Sequence, residues 1–338
     1  MPDEPSVAEL AWIDARELAV EGRAWDDTEE FYDRLPRRAR GVVRDPVWDL
    51  SRDSAGLAVH FAGATPALRA RWTLRRSQLA MTHMPASGVS GLDLYFRDAG
   101  AWRWLAAVRP DAGVEAAGVL FERVAPARRE YLLYLPLYNG LRSLQLGVPR
   151  GCRLEPVVRR ERPLVFYGTS ILQGACVSRP GLAYPALLGR RLDRPVVNLG
   201  FSSNGKAEPE MAELLAGLDP AMYVLDCMPN LRPDEVARVG PLVDTLRARH
   251  PALPIVLVEN LEYPGGILIP LRQEYRVTNP LLREIHARRR GDPHLHLLSA
   301  RDLLGHDGEA TTDGVHPNDL GAMRMAERLE PHLRRALG

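Results

Sequence analysis

The sequence predicts two units in series, an all-β sandwich followed by an α/β unit with a parallel sheet. Three observations carry this reading. The chain has 338 residues, enough for two domains or one large one. Before residue 155 short strand-like runs dominate, and after residue 160 strand and helix patterns alternate. Such alternation packs helices on both faces of a parallel sheet. The expected units are residues 1–155 and residues 160–338.

The first unit opens with a polar lead-in, residues 1–40, expected to hold short helices. Then come GLAVHF, LRARWTL, GLDLYF, WRWLAAV, AGVLFERV and EYLLYLPLY, separated by Gly, Pro, Asp and Ala at sandwich-like spacing. From Leu68 to Leu74, apolar and polar residues alternate, as a strand with one buried and one wet face requires. Trp48, Trp72, Trp102 and Trp104 are expected in the core rather than as a sugar-stacking platform. The stretch GVPRGCRLEPVVRRERP, residues 147–163, reads as the linker. In the second unit LVFYG, PVVNLG, MYVLDC, PIVLVEN and HLHLLS are five successive strands. Helical stretches are expected at 206–217, at 232–250 with Pro233 early in the helix, and from Asn318 onward.

Composition narrows the function. Hydrophobic residues make up 46%, and no apolar run reaches the roughly 18 residues that span a bilayer. The 44 basic and 43 acidic residues leave a formal charge of +1, which gives no field favouring nucleic acid or an anionic membrane. Lys206 is the single lysine. The three cysteines, Cys152, Cys176 and Cys227, show no C-x-x-C spacing and argue against a disulfide framework or a zinc site. The N-terminus lacks a basic and apolar leader pattern. Reduced cysteines and that N-terminus together give the expectation of a cytoplasmic protein.

In an open parallel sheet, ligands bind beyond the C-terminal strand ends. Four such places carry acyl-transfer chemistry: Gly168-Thr169-Ser170, Asn198-Leu199-Gly200, Pro229-Asn230 and Asp313-Gly314-Val315-His316. A serine hydroxyl is a poor nucleophile without a base. His316 can be that base, and Asp313, three residues earlier, can fix its tautomer. Backbone N–H groups of Ser170 and Gly200, with the Asn230 amide, would form an oxyanion hole. Each has a plainer alternative: Ser170 and Asp313 as caps, His316 as a surface histidine, Gly200 for backbone shape, Asn230 for a loop bond.

These four blocks, in this order, resemble the SGNH hydrolases, also called GDSL-type esterases. The match departs from the plain pattern at Gly168-Thr169-Ser170-Ile171 and at Met228-Pro229-Asn230-Leu231. Together with Gly91-Leu92-Asp93-Leu94-Tyr95, NLGFSSNGK and DGVHPNDLG, it is similar to the two-domain subgroup with a GxDLY N-terminal domain, over roughly residues 40–335. The resemblance implies a flavodoxin-like five-stranded sheet of order 2-1-3-4-5, preceded by a jelly-roll-like β-sandwich. It implies no cofactor and a site without the G-x-S-x-G elbow of α/β-hydrolases.

Two activities follow from the same acyl-enzyme. One is hydrolysis of an O-acyl ester on a sugar or other small molecule. The other is O-acyl transfer, for example from an acyl-CoA donor to a hydroxyl acceptor on a natural product. A water-excluding pocket under the N-terminal domain would favour the second. A sugar-binding protein with an inactive site is a third reading, opposed by the intact Ser170, Asp313 and His316. Arg179, Lys206 and Glu259 are candidate substrate contacts, and Tyr95 could face the cleft. Residues 260–275 are a candidate lid or wall, with Gly265-Gly266 as its hinge. Cys176 reads as a packed thiol, and His294-x-His296 lacks a third metal ligand.

Overall fold

The computed structural model describes residues 10–338. The first nine residues of the expected helical lead-in lie outside the described residues. The N-terminal half contains β1 (Leu10–Asp14), β2 (Ala19–Glu21), β3 (Ala58–Ala64), β4 (Leu68–Leu74), β5 (Leu92–Asp98), β6 (Ala101–Val108), β7 (Glu115–Phe121), β8 (Arg128–Tyr134), β9 (Leu141–Pro149) and β10 (Leu154–Pro156). Helices α1 (Asp45–Ser51) and α2 (Ala86–Val89) interrupt them. One antiparallel sheet runs β1-β9-β4-β7. The other runs β10-β3-β8-β5-β6, with β2 also paired to β3.

The outer sheet is amphipathic. Along β4, Leu68, Ala70, Trp72 and Leu74 are buried, while Arg69, Arg71 and Thr73 are not, the period-2 pattern of a strand with one wet face. The inner sheet is apolar on both faces for a physical reason. Tyr131, Leu133 and Leu135 join Phe61 and Trp72 in the sandwich core. The alternating Leu132 and Tyr134 join Leu164, Phe166, Leu172 and Leu187 of the C-terminal half. The inner sheet is therefore the middle layer of a continuous core.

Two expectations are corrected here. The lead-in has 3-10 turns at Ala15–Glu17 and Arg37–Ala39, but it also supplies β1 and β2. The sequence LAWID pairs in full register with Gln145–Pro149. The expected linker is shorter, because Gly147–Pro149 end β9 and Leu154–Pro156 form β10. Trp72 and Trp48 are buried, whereas Trp104 is 51% exposed and stacks on Arg179.

The C-terminal half has five parallel strands: β11 (Leu164–Gly168), β12 (Val196–Gly200), β13 (Met222–Asp226), β14 (Ile255–Val258) and β15 (Leu295–Leu298). Their order is β12-β11-β13-β14-β15, a flavodoxin-like 2-1-3-4-5 sheet. Helices α3 (Ser170–Gln173), α4 (Tyr184–Leu192), α5 (Pro209–Ala216), α6 (Val239–Arg249), α7 (Tyr275–Ala287) and α8 (Asp319–Leu337) accompany it. Strands β11 and β13 are buried throughout, as a sheet covered on both sides requires. Chain order reverses between β12 and β13 on either side of β11, so the crevice opens at the ends of these three strands. Among the described residues, no helix is long and apolar enough to cross a membrane.

Candidate active site

Strand β11 ends at Gly168 and turns directly into the single turn of α3, which starts at Ser170. Gly174 stops the turn in the left-handed region, at φ 110°. A Cβ there would stand 2.9 Å from Ala183 and Leu137, so glycine is needed both for conformation and for space. Ser170 is 5% exposed. The loop before α8 brings the other two residues. Thr312 N–H donates to His316 O at 3.0 Å and Asn318 N–H to Ala310 O at 3.0 Å, and Asn318 caps α8 through Gly321 N–H at 3.0 Å. This frame holds His316 Nε2 2.9 Å from Ser170 Oγ and His316 Nδ1 2.7 Å from Asp313 Oδ2.

Asp313 also accepts the backbone N–H groups of His316 at 2.8 Å and Val315 at 3.0 Å. Partial burial pushes its carboxyl up, but the His316 ring and the two N–H groups outweigh this and hold it at about 2. It is therefore ionised at neutral pH and able to orient the imidazole. Arg272 donates to the Asp313 carbonyl at 2.9 Å and lies against Gly314, where a Cβ would meet the guanidinium at 2.1 Å.

Cys176 stands behind this line. Its Sγ and the ligand atoms of Asp313 and His316 lie within 4.8 Å of one another. Among the described residues this is the one group of His, Cys, Asp and Glu side chains close enough to share an ion; His294 and His296 gather no third ligand. Burial, helped by the Asp313 charge, pushes the Cys176 thiol up to about 11. It is a neutral thiol at physiological pH, which makes it a poor rival to Ser170 as nucleophile.

The oxyanion donors need a correction. The Gly200 N–H donates to Asn198 Oδ1 at 2.9 Å and so is committed within the protein. Glycine is required at 200 because a Cβ would sit 2.3 Å from the Gln173 backbone N. Ser203, next on this loop, leaves its N–H uncommitted among the described residues. Ser202 N–H donates to Gln173 Oε1 at 3.0 Å and Asn204 N–H to Phe201 O at 2.8 Å. Ser203, at φ 59°, has no backbone N–H partner among the described residues. Asn230 accepts Gly205 N–H on Oδ1 at 3.2 Å, which fixes the amide and leaves its Nδ2 donors for a ligand. Ser170 N–H, at the start of α3, completes the set.

The N-terminal half buttresses this loop. Gln173 is fully buried and donates to Asp53 Oδ2 at 3.1 Å and Leu137 O at 3.0 Å. Arg34 is buried and donates to the carbonyls of Asn198 (3.0 Å), Gly200 (2.7 Å), Leu50 (2.7 Å) and Asp53 (2.9 Å). Sequence reasoning missed Ser203, Gln173, Arg34 and Asp53. The run Ser202-Ser203-Asn204-Gly205 was the available signal for the first, since Asn-Gly marks a turn with left-handed backbone.

The expected substrate contacts divide. Arg179 is committed to Asp93, at 3.1 and 2.9 Å, and to Tyr95 Oη at 2.6 Å. Asp93 also accepts Gly181 N–H at 2.8 Å and Trp104 Nε1 at 2.9 Å, so this part of the Gly-x-Asp-Leu-Tyr segment fastens the two halves together. Tyr95 is buried and does not face the cleft. Glu259 is 2% exposed and pairs with Arg283 at 2.6 Å. Lys206 is half-buried and acts electrostatically on Glu235. The 260–275 segment forms 3-10 turns at Pro264–Ile267 and Pro270–Gln273, and presents Ile267 and Leu268 at 85% and 87% exposure.

Comparisons with known proteins agree on the family. Residues 161–334 match the GDSL-like lipase/acylhydrolase family, and residues 10–154 match the N-terminal domain of SGNH-hydrolase-type esterases, GxDLY. A crystal structure described as a GDSL-like lipase from Bacteroides ovatus ATCC 8483 is 35% identical, with a TM-score of 0.91 over 97% of this chain and 98% of that one. The salicylyl-acyltransferase SsfX3 of a tetracycline biosynthetic pathway is 18% identical, with a TM-score of 0.77 over 97% of each chain. A family two carbohydrate esterase from Cellvibrio japonicus is 16% identical, with a TM-score of 0.61 over 97% of this chain and 98% of that one. The last two are likenesses of fold. No curated protein matches the chain.

Proposed function

The chain belongs to the GDSL-like lipase/acylhydrolase family and is an esterase, and on that premise we propose that it hydrolyses an O-acyl ester on a sugar or other small molecule through an acyl-Ser170 intermediate. The observation that carries the reading is the unbroken line from Asp313 Oδ2 to His316 Nδ1, and from His316 Nε2 to Ser170 Oγ, at 2.7 and 2.9 Å. His316 removes the Ser170 proton as Oγ attacks the acyl carbon. The developing oxyanion accepts from Ser170 N–H, Ser203 N–H and Asn230 Nδ2. His316 then returns the proton to the departing alcohol oxygen, and the acyl group stays on Ser170. Water, activated by the same imidazole, releases the acid. Asp313 remains ionised throughout and stabilises the imidazolium.

Acyl transfer to an alcohol, including transfer from an acyl-CoA donor, uses the same intermediate. The near-complete burial of Ser170 favours it as a second reading, because a shielded acyl-enzyme meets less water. Cytoplasmic placement is part of the proposal and is supported by three cysteines without disulfides.

The experiment is turnover of 4-nitrophenyl acetate and butyrate by wild type and Ser170→Ala, with and without added alcohols and acyl-CoA donors. Ser170-dependent hydrolysis that ignores added alcohols supports hydrolase action. Product that forms only with an acceptor and an activated donor supports transfer. Undiminished cleavage by folded Ser170→Ala refutes both.

A further inference from the structure

The β-sandwich places a second imidazole beside the catalytic line. Between β4 and β5, Met81 and Met84 close a tight turn with two main-chain bonds, Met81 N–H to Met84 O at 2.9 Å and Met84 N–H to Met81 O at 3.1 Å. Met84 is 2% exposed and belongs to the core that contains Ile171, Leu172, Ala175 and Val177, with Met81 packed against it. Helix α2 follows at once and is clamped to the loop beyond Ser170. Ser87 Oγ donates to Ser178 O at 2.6 Å, and a Cβ on Gly88 would lie 2.5 Å from Val177 O.

The turn is therefore rigidly mounted, while its tip is free. Thr82 and His83 are exposed, and the His83 ring lies over the His316 ring, with centroids 6.1 Å apart and 28° between planes. Apart from a 3.5 Å approach to its neighbour Thr82 Oγ1, the His83 ring has no hydrogen-bond partner among the described residues. An exposed polar side chain held on a rigid turn beside the base, with its hydrogen-bonding capacity unspent, is placed for a ligand.

Which part of the ligand follows from the chemistry. The carbonyl oxygen goes to Ser170 N–H, Ser203 N–H and Asn230. The alcohol oxygen must lie next to His316, which returns the proton to it. A group beside the His316 ring therefore borders the alcohol and not the acyl chain. A neutral imidazole offers one donor and one acceptor, which complements a hydroxyl. We propose that His83, with Thr82, forms an alcohol subsite that hydrogen-bonds a hydroxyl adjacent to the esterified oxygen, so that the site selects vicinal diols such as those of sugars. This rests on the acyl-Ser170 mechanism above.

The test lets two acetates of the same shape, the monoacetate of cis-1,2-cyclohexanediol and cyclohexyl acetate, compete for Ser170-dependent hydrolysis. It uses wild type, His83→Phe, which keeps a ring on His316, and His83→Gln, which keeps a donor and an acceptor. After correction for the ratio of their alkaline hydrolysis rates, wild type is expected to favour the diol ester by about 3- to 10-fold in kcat/KM, the worth of one net hydrogen bond. His83→Phe should bring the ratio to about 1, and His83→Gln should retain most of the preference. Equal hydrolysis of the two esters by wild type, hydrolysis of neither, or an undiminished preference in His83→Phe, overturns the subsite. Absence of any Ser170-dependent cleavage of 4-nitrophenyl acetate overturns the mechanism beneath it instead. Because each ratio is internal to one protein, a partly unfolded variant does not distort it.

Discussion

Replacing Gln173 by leucine removes the peg that holds the oxyanion loop while nearly conserving volume. Gln173 is fully buried. Its amide oxygen accepts Ser202 N–H at 3.0 Å, and its nitrogen donates to Leu137 O at 3.0 Å and Asp53 Oδ2 at 3.1 Å. Leucine strands all three partners. Each buried polar group left unpaired costs about 1–3 kcal/mol. Asp53 keeps its ion pair with Arg76 and Ser202 is only half-buried, so the expected loss of stability is about 3–4 kcal/mol rather than the full sum. The kinetic effect is separate. Ser203 follows Ser202 directly, and a slack loop misaims its N–H. Complete loss of an oxyanion donor costs roughly 3–4 kcal/mol of transition-state stabilisation, so partial loss should lower kcat by about 10- to 100-fold and leave KM within about 3-fold. Gln173→Glu keeps the acceptor for Ser202 N–H but sets a second carboxylate against Asp53; it should lose stability yet retain most of kcat. The assays are urea unfolding, and 4-nitrophenyl acetate kinetics below the unfolding transition of each variant. A wild-type kcat in folded Gln173→Leu would refute the reasoning, because the loop would then be held without this peg.

Three further outcomes are expected. Asp313→Asn leaves the His316 ring without a charged partner and should lower kcat by about 10³- to 10⁴-fold with the fold retained; circular dichroism and kcat together check it. Asp226, buried at the end of β13 and bonded by Tyr184 Oη at 2.7 Å, is pushed by burial from its ordinary 3.8 up to about 6. A raised carboxyl contributes stability below pH 3.8 that is lost as pH rises toward 6, up to about 3 kcal/mol. Asp226→Asn should therefore melt higher than wild type at pH 8 and converge with it near pH 4, and a pH-independent difference would contradict this. Arg34→Met removes the donor to four carbonyls and should cost about 3–5 kcal/mol in denaturant unfolding, with little rescue by Arg34→Lys, whose single ammonium cannot fork between the carbonyls of β12 and those of Leu50 and Asp53.

The parallel sheet was legible because its five apolar runs are long, separated by helical periodicity and buried on both faces. The sandwich strands with alternating or aromatic-rich runs were legible for the same reason. Strand β1 was not: LAWID carries one buried residue, Leu10, and gains its extended form from tertiary pairing with β9. Linker residues 147–149 were misread because Gly147 looks like a breaker. In the structure it lies under the ring of Trp12, where a Cβ would meet that ring at 2.9 Å.

At the site, Ser170, Asp313, His316 and Asn230 are marked by residue type at strand ends. Gly200 does not face the oxyanion because its N–H is spent on Asn198, and nothing in a sequence tells which N–H is already committed. Arg179 and Glu259 looked available as charges, and their partners Asp93 and Arg283 lie 86 and 24 residues away. Gln173, Arg34 and His83 were invisible for that reason too, since each acts across the boundary between the two halves or onto a loop distant in sequence.

The central claim is an acyl group carried on Ser170. Rapid acid quench of the enzyme mixed with 4-nitrophenyl butyrate, followed by peptide mass spectrometry, tests it directly. The expected result is one butyryl group on the peptide that contains Ser170, formed within the burst of 4-nitrophenol and absent from Ser170→Ala. That peptide also contains Cys176, so fragmentation must place the group on the serine. A butyryl group on Cys176, or burst kinetics with no acyl-peptide at all, would contradict the account.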